Sequence, residues 1–244
     1  SSCFGNGTTC GTALQNIASN GGFDSDFFVI GSDTYLAYAN QYNYSTLSYN
    51  LNSAVYRWMS GSSCFGNGTT CGTPLQNIAT IGATKVEAFA IGGVQYLAIG
   101  NHHNGSTYNN NSYIFRWMSG SSCFGNGTTC GTALQNIATN GVLDMHHFQI
   151  DGDDYLAVAN YHNGSATNIN SAIYRWMSGS SCFGNGTTCG TALQLIATAG
   201  AAEWEHFSAN GFEYLAVANY YTAGTAQIAN SAVYRWMSGS SCFG

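Results

Sequence analysis

Charge is what this sequence has least of. Asp, Glu, Lys and Arg together make up 7% of the 244 residues, against about a quarter in an ordinary globular chain. The five basic residues form no cluster and the net charge is −6. A protein that binds nucleic acid needs a positive face to meet phosphate, so that partner is excluded. No run approaches the ~18 apolar residues of a membrane span, which argues against insertion into a bilayer. No basic segment followed by an apolar stretch opens the chain, so it reads as already mature. Proline occurs once, as Pro74. Catalytic signatures are missing too: there is no nucleophile elbow, no phosphate loop and no His-Glu-x-x-His.

With so few charges, the surface must be Ser, Thr, Asn, Gly and Tyr, a surface of neutral hydrogen bonds and aromatic contacts. Nine cysteines in a chain of this size point to an oxidising compartment, and hence to a secreted protein. The order of the residues then dominates. The segment SSCFGNGTTCGT places cysteines at Cys3, Cys64, Cys123 and Cys182, and a truncated copy ends at Cys242, with spacings of 61, 59, 59 and 60. LQNIA or LQLIA recurs at Leu14, Leu75, Leu134 and Leu193. YLA recurs at Tyr35, Tyr96, Tyr155 and Tyr214, and an [YF]-R-W-M tract ends each unit. The chain is one domain of four units, about 1–60, 61–119, 120–178 and 179–244.

Each unit holds four short runs rich in Tyr, Phe, Ile, Val and Trp, separated by turn formers such as Asp151-Gly152 and Asn163-Gly164. YLAVAN is apolar on both faces, as in a sheet packed between two neighbours. The expectation is an all-β, four-bladed β-propeller of four-stranded antiparallel blades. The chain starts just before an LQNIA strand and stops just after a YRWM strand. A ring closes if Leu14–Ser19 completes the sheet of the last unit, which also removes exposed edges.

The order of these tracts resembles the epilepsy-associated repeat, or EPTP repeat. The second unit carries it in Leu75-Gln76-Asn77-Ile78-Ala79-Thr80, Gly82-Ala83, Glu87, Phe89, Ile91-Gly92, Tyr96-Leu97-Ala98, Ser112 and Phe115-Arg116-Trp117. The resemblance covers essentially the whole chain. It implies an extracellular propeller with protein partners, seven-bladed in that family. Four units, each with an added Cys-x6-Cys loop, depart from that pattern. Either four blades close alone, or two chains make an eight-bladed or stacked assembly.

Cys3/Cys10, Cys64/Cys71, Cys123/Cys130 and Cys182/Cys189 are expected to close eight-residue disulfide loops, since Cys-x6-Cys is not a zinc spacing and no His lies near. Cys242 is the odd thiol. Cys10 has either Cys3 or Cys242 as its partner by repeat register, and the one left over is a candidate for a disulfide-linked homodimer. Inside these loops Asn6, Asn67, Asn126 and Asn185 match the N-glycosylation pattern. Asp26, Glu87, His146 and Glu205 share one repeat position at the start of the strand expected nearest the axis, a candidate solvated channel or Ca2+ column. No cofactor is otherwise called for. The arginines Arg57, Arg116, Arg175 and Arg235 sit mid-tract, and a packing role is expected for them ahead of anion binding.

The loop after YLAVAN carries the most suggestive chemistry. Tyr42, His103, His162 and Tyr221 form one column, with His102, Tyr161 and Tyr220 beside it and Asn43, Asn104 and Asn163 following. Neutral sugars ask for an aromatic face, planar amides and few charges to desolvate. Repeated weak sites on a rigid ring gain avidity. The expected function is therefore a secreted, multivalent lectin with one shallow site per blade, for neutral glycans or a glycoprotein surface. A protein-binding adhesion module is the alternative, and a glycan hydrolase using Glu203/Glu205 or Asp144/His146 a distant third. No enzyme is expected, because an active site is asymmetric and this chain repeats its chemistry.

Overall fold

In the computed structural model, which describes residues 2–221 and 229–244, four antiparallel sheets follow one another along the chain. The first consists of β1 (Gly22–Ile30), β2 (Asp33–Asn40), β3 (Asn50–Met59), the short β4 (Cys64–Gly66) and β5 (Gln76–Ile81). The second comprises β6 (Ala83–Ile91), β7 (Val94–Asn101), β8 (Asn109–Met118), β9 (Cys123–Gly125) and β10 (Gln135–Asn140). The third holds β11 (Val142–Ile150), β12 (Asp153–Asn160), β13 (Asn168–Met177), β14 (Cys182–Gly184) and β15 (Gln194–Ala199). The fourth has β16 (Ala201–Ala209), β17 (Phe212–Asn219), β18 (Ala232–Met237) and β19 (Cys242–Phe243). These sheets are the four blades of a β-propeller. In each, the F-x-I run is innermost and YLAVAN and YRWM follow. In the first three, the LQNIA tract of the next repeat lies outermost, beside the short CFG strand.

Registry explains why one sequence gives one blade. On the first sheet Asp26, Phe28, Tyr35, Ala37 and Val55 share a face with Gln76 and Ile78, since Asp26 pairs with Ala37, Phe28 with Tyr35, Ala37 with Val55 and Val55 with Gln76. That face packs on the opposite face of the second blade, where Val86, Leu97, Ile99, Phe115, Trp117 and Phe124 complete one core. Equivalent residues build the second and third junctions. Both faces of an inner blade are thus buried, which is why YLAVAN has no polar side.

Aromatic pairs cross each junction in the same place. Phe28 meets Phe124, Phe89 meets Phe183, and Phe148 meets Phe243, all edge-on at 5.6 to 5.9 Å. Tyr35, Tyr96 and Tyr155 meet Trp117, Trp176 and Trp236 at 5.1 to 5.3 Å. Three buried hydroxyl pairs tie β3 to β5 and their repeats: Ser53 with Thr80, Ser112 with Thr139, Ser171 with Thr198, each about 3 Å apart.

The closing strand lies elsewhere than the sequence suggested. Leu14–Ser19 is not part of the last sheet, which ends at β18 and β19. Instead the Gln15 amide brackets Phe65 of the first blade, donating from Nε2 to its carbonyl at 2.8 Å and accepting its N–H at 2.7 Å. Gln76, Gln135 and Gln194 bracket Phe124, Phe183 and Phe243 identically. Each of those glutamines belongs to the outer strand of one blade and grips the next. Gln15 therefore sits where the outer strand of a blade preceding the first would sit. The repeat register that made closure attractive is kept, but it is satisfied against the first blade rather than the fourth. Disulfides join Cys3–Cys10, Cys64–Cys71, Cys123–Cys130 and Cys182–Cys189, leaving Cys242 as a free, half-buried thiol.

Candidate functional site

The β2–β3 loops and their repeats gather on one rim. Glycine sets their path: Gly21, Gly82, Gly141 and Gly200 have positive φ, and a Cβ there would strike the carbonyl oxygens of Tyr42, His103, His162 and Tyr221. The buried Asn40, Asn101 and Asn160, together with Asn219, then brace each loop. Their Nδ2 atoms donate to the carbonyls of Asn52, Asn111, Asn170 and Asn230 at 2.7 to 2.9 Å. Their Oδ1 atoms accept the N–H of Asn20, Ile81, Asn140 and Ala199.

The rings of the rim form a continuous ladder across the blades. Tyr44 leans on Tyr42 (4.9 Å), Tyr42 on Tyr49 (4.5 Å), Tyr49 on His103 (4.9 Å), His103 on Tyr108 (4.4 Å) and Tyr108 on His162 (4.7 Å). Tyr161 continues it towards Tyr220 at 6.3 Å, with His102 behind it at 6.1 Å. The structure thus brings the expected aromatic residues together. It adds Tyr44, Tyr49 and Tyr108, which lie farther along the loops where the four repeats stop aligning. Tyr221 ends the described part of the fourth loop, whose residues 222–228 lie outside the described residues.

Asn43, Asn104 and Asn163 are occupied locally. Each Oδ1 accepts two backbone N–H groups of its own loop at 2.8 to 3.1 Å, so these side chains shape the loop. Asn6, Asn67, Asn126 and Asn185 do the same inside the disulfide loops. His103 and His162 accept the N–H of Gly105 and Gly164 at Nδ1 (3.0 and 2.9 Å), which leaves Nε2 as the protonated nitrogen of the neutral ring. Burial lowers the pKa of His102 and of His103. At neutral pH His102 and His103 are uncharged.

Charge is kept away from this rim. None of the loop residues 41–50, 102–109, 161–168 and 220–230 is Asp, Glu, Lys or Arg. The charges lie at the inner strands or on the opposite rim. Asp24, Asp26, Glu87 and Asp144 reach across to the next blade and accept the N–H of Val86, Ala88, His147 and Trp204 at 2.6 to 3.1 Å. His146 Nε2 accepts from His206 N–H at 3.3 Å. Three of the four candidate channel residues, Asp26, Glu87 and His146, are therefore stitches between inner strands. Glu205 lines a shallow pocket on the outward face of the fourth blade with Glu203, Val217 and Val233.

Lys85 sits among Asp144 (3.2 Å), Glu87 (3.5 Å) and Asp24 (3.8 Å), spanning three blades. Burial disfavours its charge, but the carboxylates outweigh that and raise its pKa. Burial pushes Glu87 up to about 7, against the pull of Lys85. Among the described residues no group of three or more His, Cys, Asp or Glu is arranged to hold a metal ion.

On the opposite rim the arginines take three arrangements, one of them shared by the first and third blades. Arg57 pairs with Asp33 at 2.7 Å and Arg175 with Asp153 at 2.8 Å. In the fourth blade Phe212 stands where those aspartates are, and the Arg235 guanidinium lies over its ring, 3.7 Å from the centroid. Arg116 lines a cavity of about 300 Å³ with Val94, Gln95 and Trp117. Sequence reasoning did not single out the glutamine column. The signal was present, as a polar amide at the same place in every repeat of an otherwise apolar tract.

Comparison with known proteins agrees with this architecture. The EPTP domain matches four times, at residues 13–59, 73–118, 132–177 and 192–237. The chain is 33% identical over 188 residues to a mouse thrombospondin-type laminin G domain and EAR repeat-containing protein, a match covering 77% of this chain. It is 33% identical over 196 residues to the human protein of the same name, covering 80% of this chain. It spans about a quarter of the length of these relatives, 24% and 26% respectively. Among solved structures, an exo-β-1,3-galactanase from Phanerochaete chrysosporium with β-1,3-galactotriose superposes with a TM-score of 0.50 at 15% identity. That match covers 94% of this chain and 50% of the galactanase, and at this identity it speaks to the fold alone.

Proposed function

The chain belongs to the EPTP domain family, and from that premise we propose that it is a non-enzymatic extracellular recognition module that binds neutral glycans through its uncharged aromatic rim. The carrying observation is the segregation of charge: a belt of Tyr, His, Asn, Ser and Thr without one Asp, Glu, Lys or Arg, opposite a rim that holds the arginines and aspartates. A neutral sugar brings no charge to be matched, and aromatic rings with nearby amides and hydroxyls suit its apolar and hydroxylated faces. Disulfides in every repeat and the EAR-repeat relatives support secretion. Of the two pairs that a hydrolase could use, Asp144 and His146 are engaged with backbone amides. Asp144 is held by Trp204 N–H and Lys85, and His146 by His206 N–H.

A second reading, recognition of a protein surface, is favoured by one feature. The ladder is continuous and its loops differ from blade to blade, as in an antibody-like surface of Tyr, Ser, Gly and Asn rather than four like pockets. A glycan array with the folded chain, run beside a pull-down from extracellular matrix extract, separates the two. Binding to neutral glycans that weakens at least about tenfold in the His103→Ala/His162→Ala double variant supports the first reading. Capture of one protein without glycan binding supports the second. Binding unchanged in that variant moves the site off this rim.

A further inference from the structure

The second blade departs from its neighbours at position 94. The residue that opens the second strand of each blade is Asp33 in the first, Val94 in the second and Asp153 in the third. Arg57 and Arg175 donate from Nη2 to those aspartates at 2.7 and 2.8 Å. The backbone around Arg116 is the same, since Tyr96 pairs with it as Tyr35 pairs with Arg57 and Tyr155 with Arg175. The carboxylate is what the second blade lacks. Among the described residues Arg116 forms no ion pair and its side chain makes no hydrogen bond. Its Nη1 lies beside the Cys123–Cys130 loop, 4.0 Å from where a Cβ on Gly127 would stand, whereas a Cβ on Gly68 or Gly186 would meet nothing within 4 Å.

Val94 and Arg116 line a cavity of about 300 Å³ at the junction of the first and second blades, with Ile30, Gly31, Gln95 and Trp117. That is the small end of ligand sites, with room for one sugar ring. Gly31 and Gly93 keep two of its walls low, since a Cβ on either would meet nothing within 4 Å. Gln95 is fixed by donating from Nε2 to the carbonyls of Phe89 and Tyr96 at 2.9 and 3.2 Å, so its Oε1 is left to accept. Trp117 is held in place by its edge-on contact with Tyr35 at 5.2 Å.

We propose that this cavity binds a hexuronate residue, a sugar that brings its own carboxylate. The carboxylate would accept from Arg116 in the place that Asp33 and Asp153 hold in their own blades. A ring hydroxyl would donate to Gln95 Oε1, with the C–H face of the sugar beside Trp117. A carboxylate is chosen over sulfate or phosphate because a carboxylate meets this guanidinium in the first and third blades. The sugar part is needed as well, because a half-exposed ion pair is weak by itself. The site lies on the rim opposite the aromatic ladder and does not rest on the glycan reading of that ladder.

The experiment is an NMR titration of the 244-residue chain, following the Arg116 side-chain N–H and the Trp117 indole N–H. The probes are methyl β-D-glucuronide, methyl β-D-glucoside and acetate. The glucuronide should shift both signals with a Kd of about 1 to 10 mM. The glucoside lacks the carboxylate and acetate lacks the sugar, so each should bind at least about tenfold more weakly. Val94→Asp gives Arg116 the partner that Arg175 has, and should weaken glucuronide binding at least about tenfold. Position 94 is half-buried and two blades already carry Asp there, so that variant should keep the circular dichroism of the chain. Arg116→Gln, read at Trp117, should lose binding to the same extent, and Arg175→Gln should leave it unchanged. No shift at about 50 mM glucuronide overturns the proposal. So does acetate or the glucoside binding as tightly as the glucuronide, or binding that survives Val94→Asp.

Discussion

The middle of the molecule and its two ends are made of the same residues in different company. At the second junction Leu156, Ile137, Val142 and Met145 are fully buried, each covered by an adjacent blade. On the outward faces of the end blades the repeat positions face water: Val233 is 61% exposed, against 1% or less for Val55, Ile114 and Ile173, and Phe27 is 59% exposed. The sequence codes for a junction at every blade face, and a face becomes core or surface according to whether a neighbour is present. Stability in such an array is a sum of blade terms and junction terms.

The difference should be largest for side chains of the middle junction. Leu156→Ala is expected to cost about 2 to 5 kcal/mol in urea unfolding, through lost burial and a cavity. Val233→Ala, at a side chain that is 61% exposed, should change stability by less than about 0.5 kcal/mol. Equal losses would mean that the open face is covered in the single chain.

The next effect belongs to Glu87, a stitch between the second and third blades. Its folded pKa is pushed up to about 7 by burial, so the folded chain keeps that proton longer than the unfolded chain does. Its contribution is complete below about pH 4.5 and is lost as the pH rises to about 7, a change of up to about 3 kcal/mol. Glu87→Gln should flatten that part of the stability profile. The imidazoles of His102 and His147 act in the opposite sense. Burial lowers both pKa values, so their contribution is present above about pH 6.5 and fades as the pH falls below it.

Three smaller effects follow. Replacing Cys123 and Cys130 together by Ser should lower stability by about 2 to 3 kcal/mol, the loop-closure value for eight residues. Gln135→Ala, which removes both bonds to Phe183 between the second and third blades, should cost about 1 to 3 kcal/mol. Gln15→Ala should cost less in the single chain, because the strand that Gln15 anchors has no sheet of its own.

Much of this was legible in the sequence because the repeat shows the same answer several times. Strand order within the blade, the loop disulfides and the gathering of Tyr42, His103, His162 and Tyr161 on one rim follow from tracts that recur at fixed spacing. The closing strand was not legible. Leu14–Ser19 carries the same residues whether it completes the fourth blade or lies against the first, and a repeat pattern cannot tell those positions apart. For Asn40, Asn101 and Asn160 the sequence left two readings, capping a hairpin or meeting a ligand, since an amide that shapes a loop and an amide that waits for a ligand look alike until its partners are known; the structure shows the first. Tyr44, Tyr49 and Tyr108 escaped notice because the loops diverge in length and alignment there.

The ends can be tested against each other directly. By the register of β3 with β5, where Ala54 pairs with Asn77, Ala232 should pair with Asn16 wherever Leu14–Ser19 completes a fourth blade. Cysteines placed as Asn16→Cys and Ala232→Cys, with Cys242→Ser to remove the free thiol, report on this under mild oxidation. The account predicts that no bond forms inside one chain, because Gln15 holds Leu14–Ser19 against the first blade and away from the fourth. A cross-link that forms inside one chain, leaving a monomer band, would show that four blades close on themselves and would contradict it.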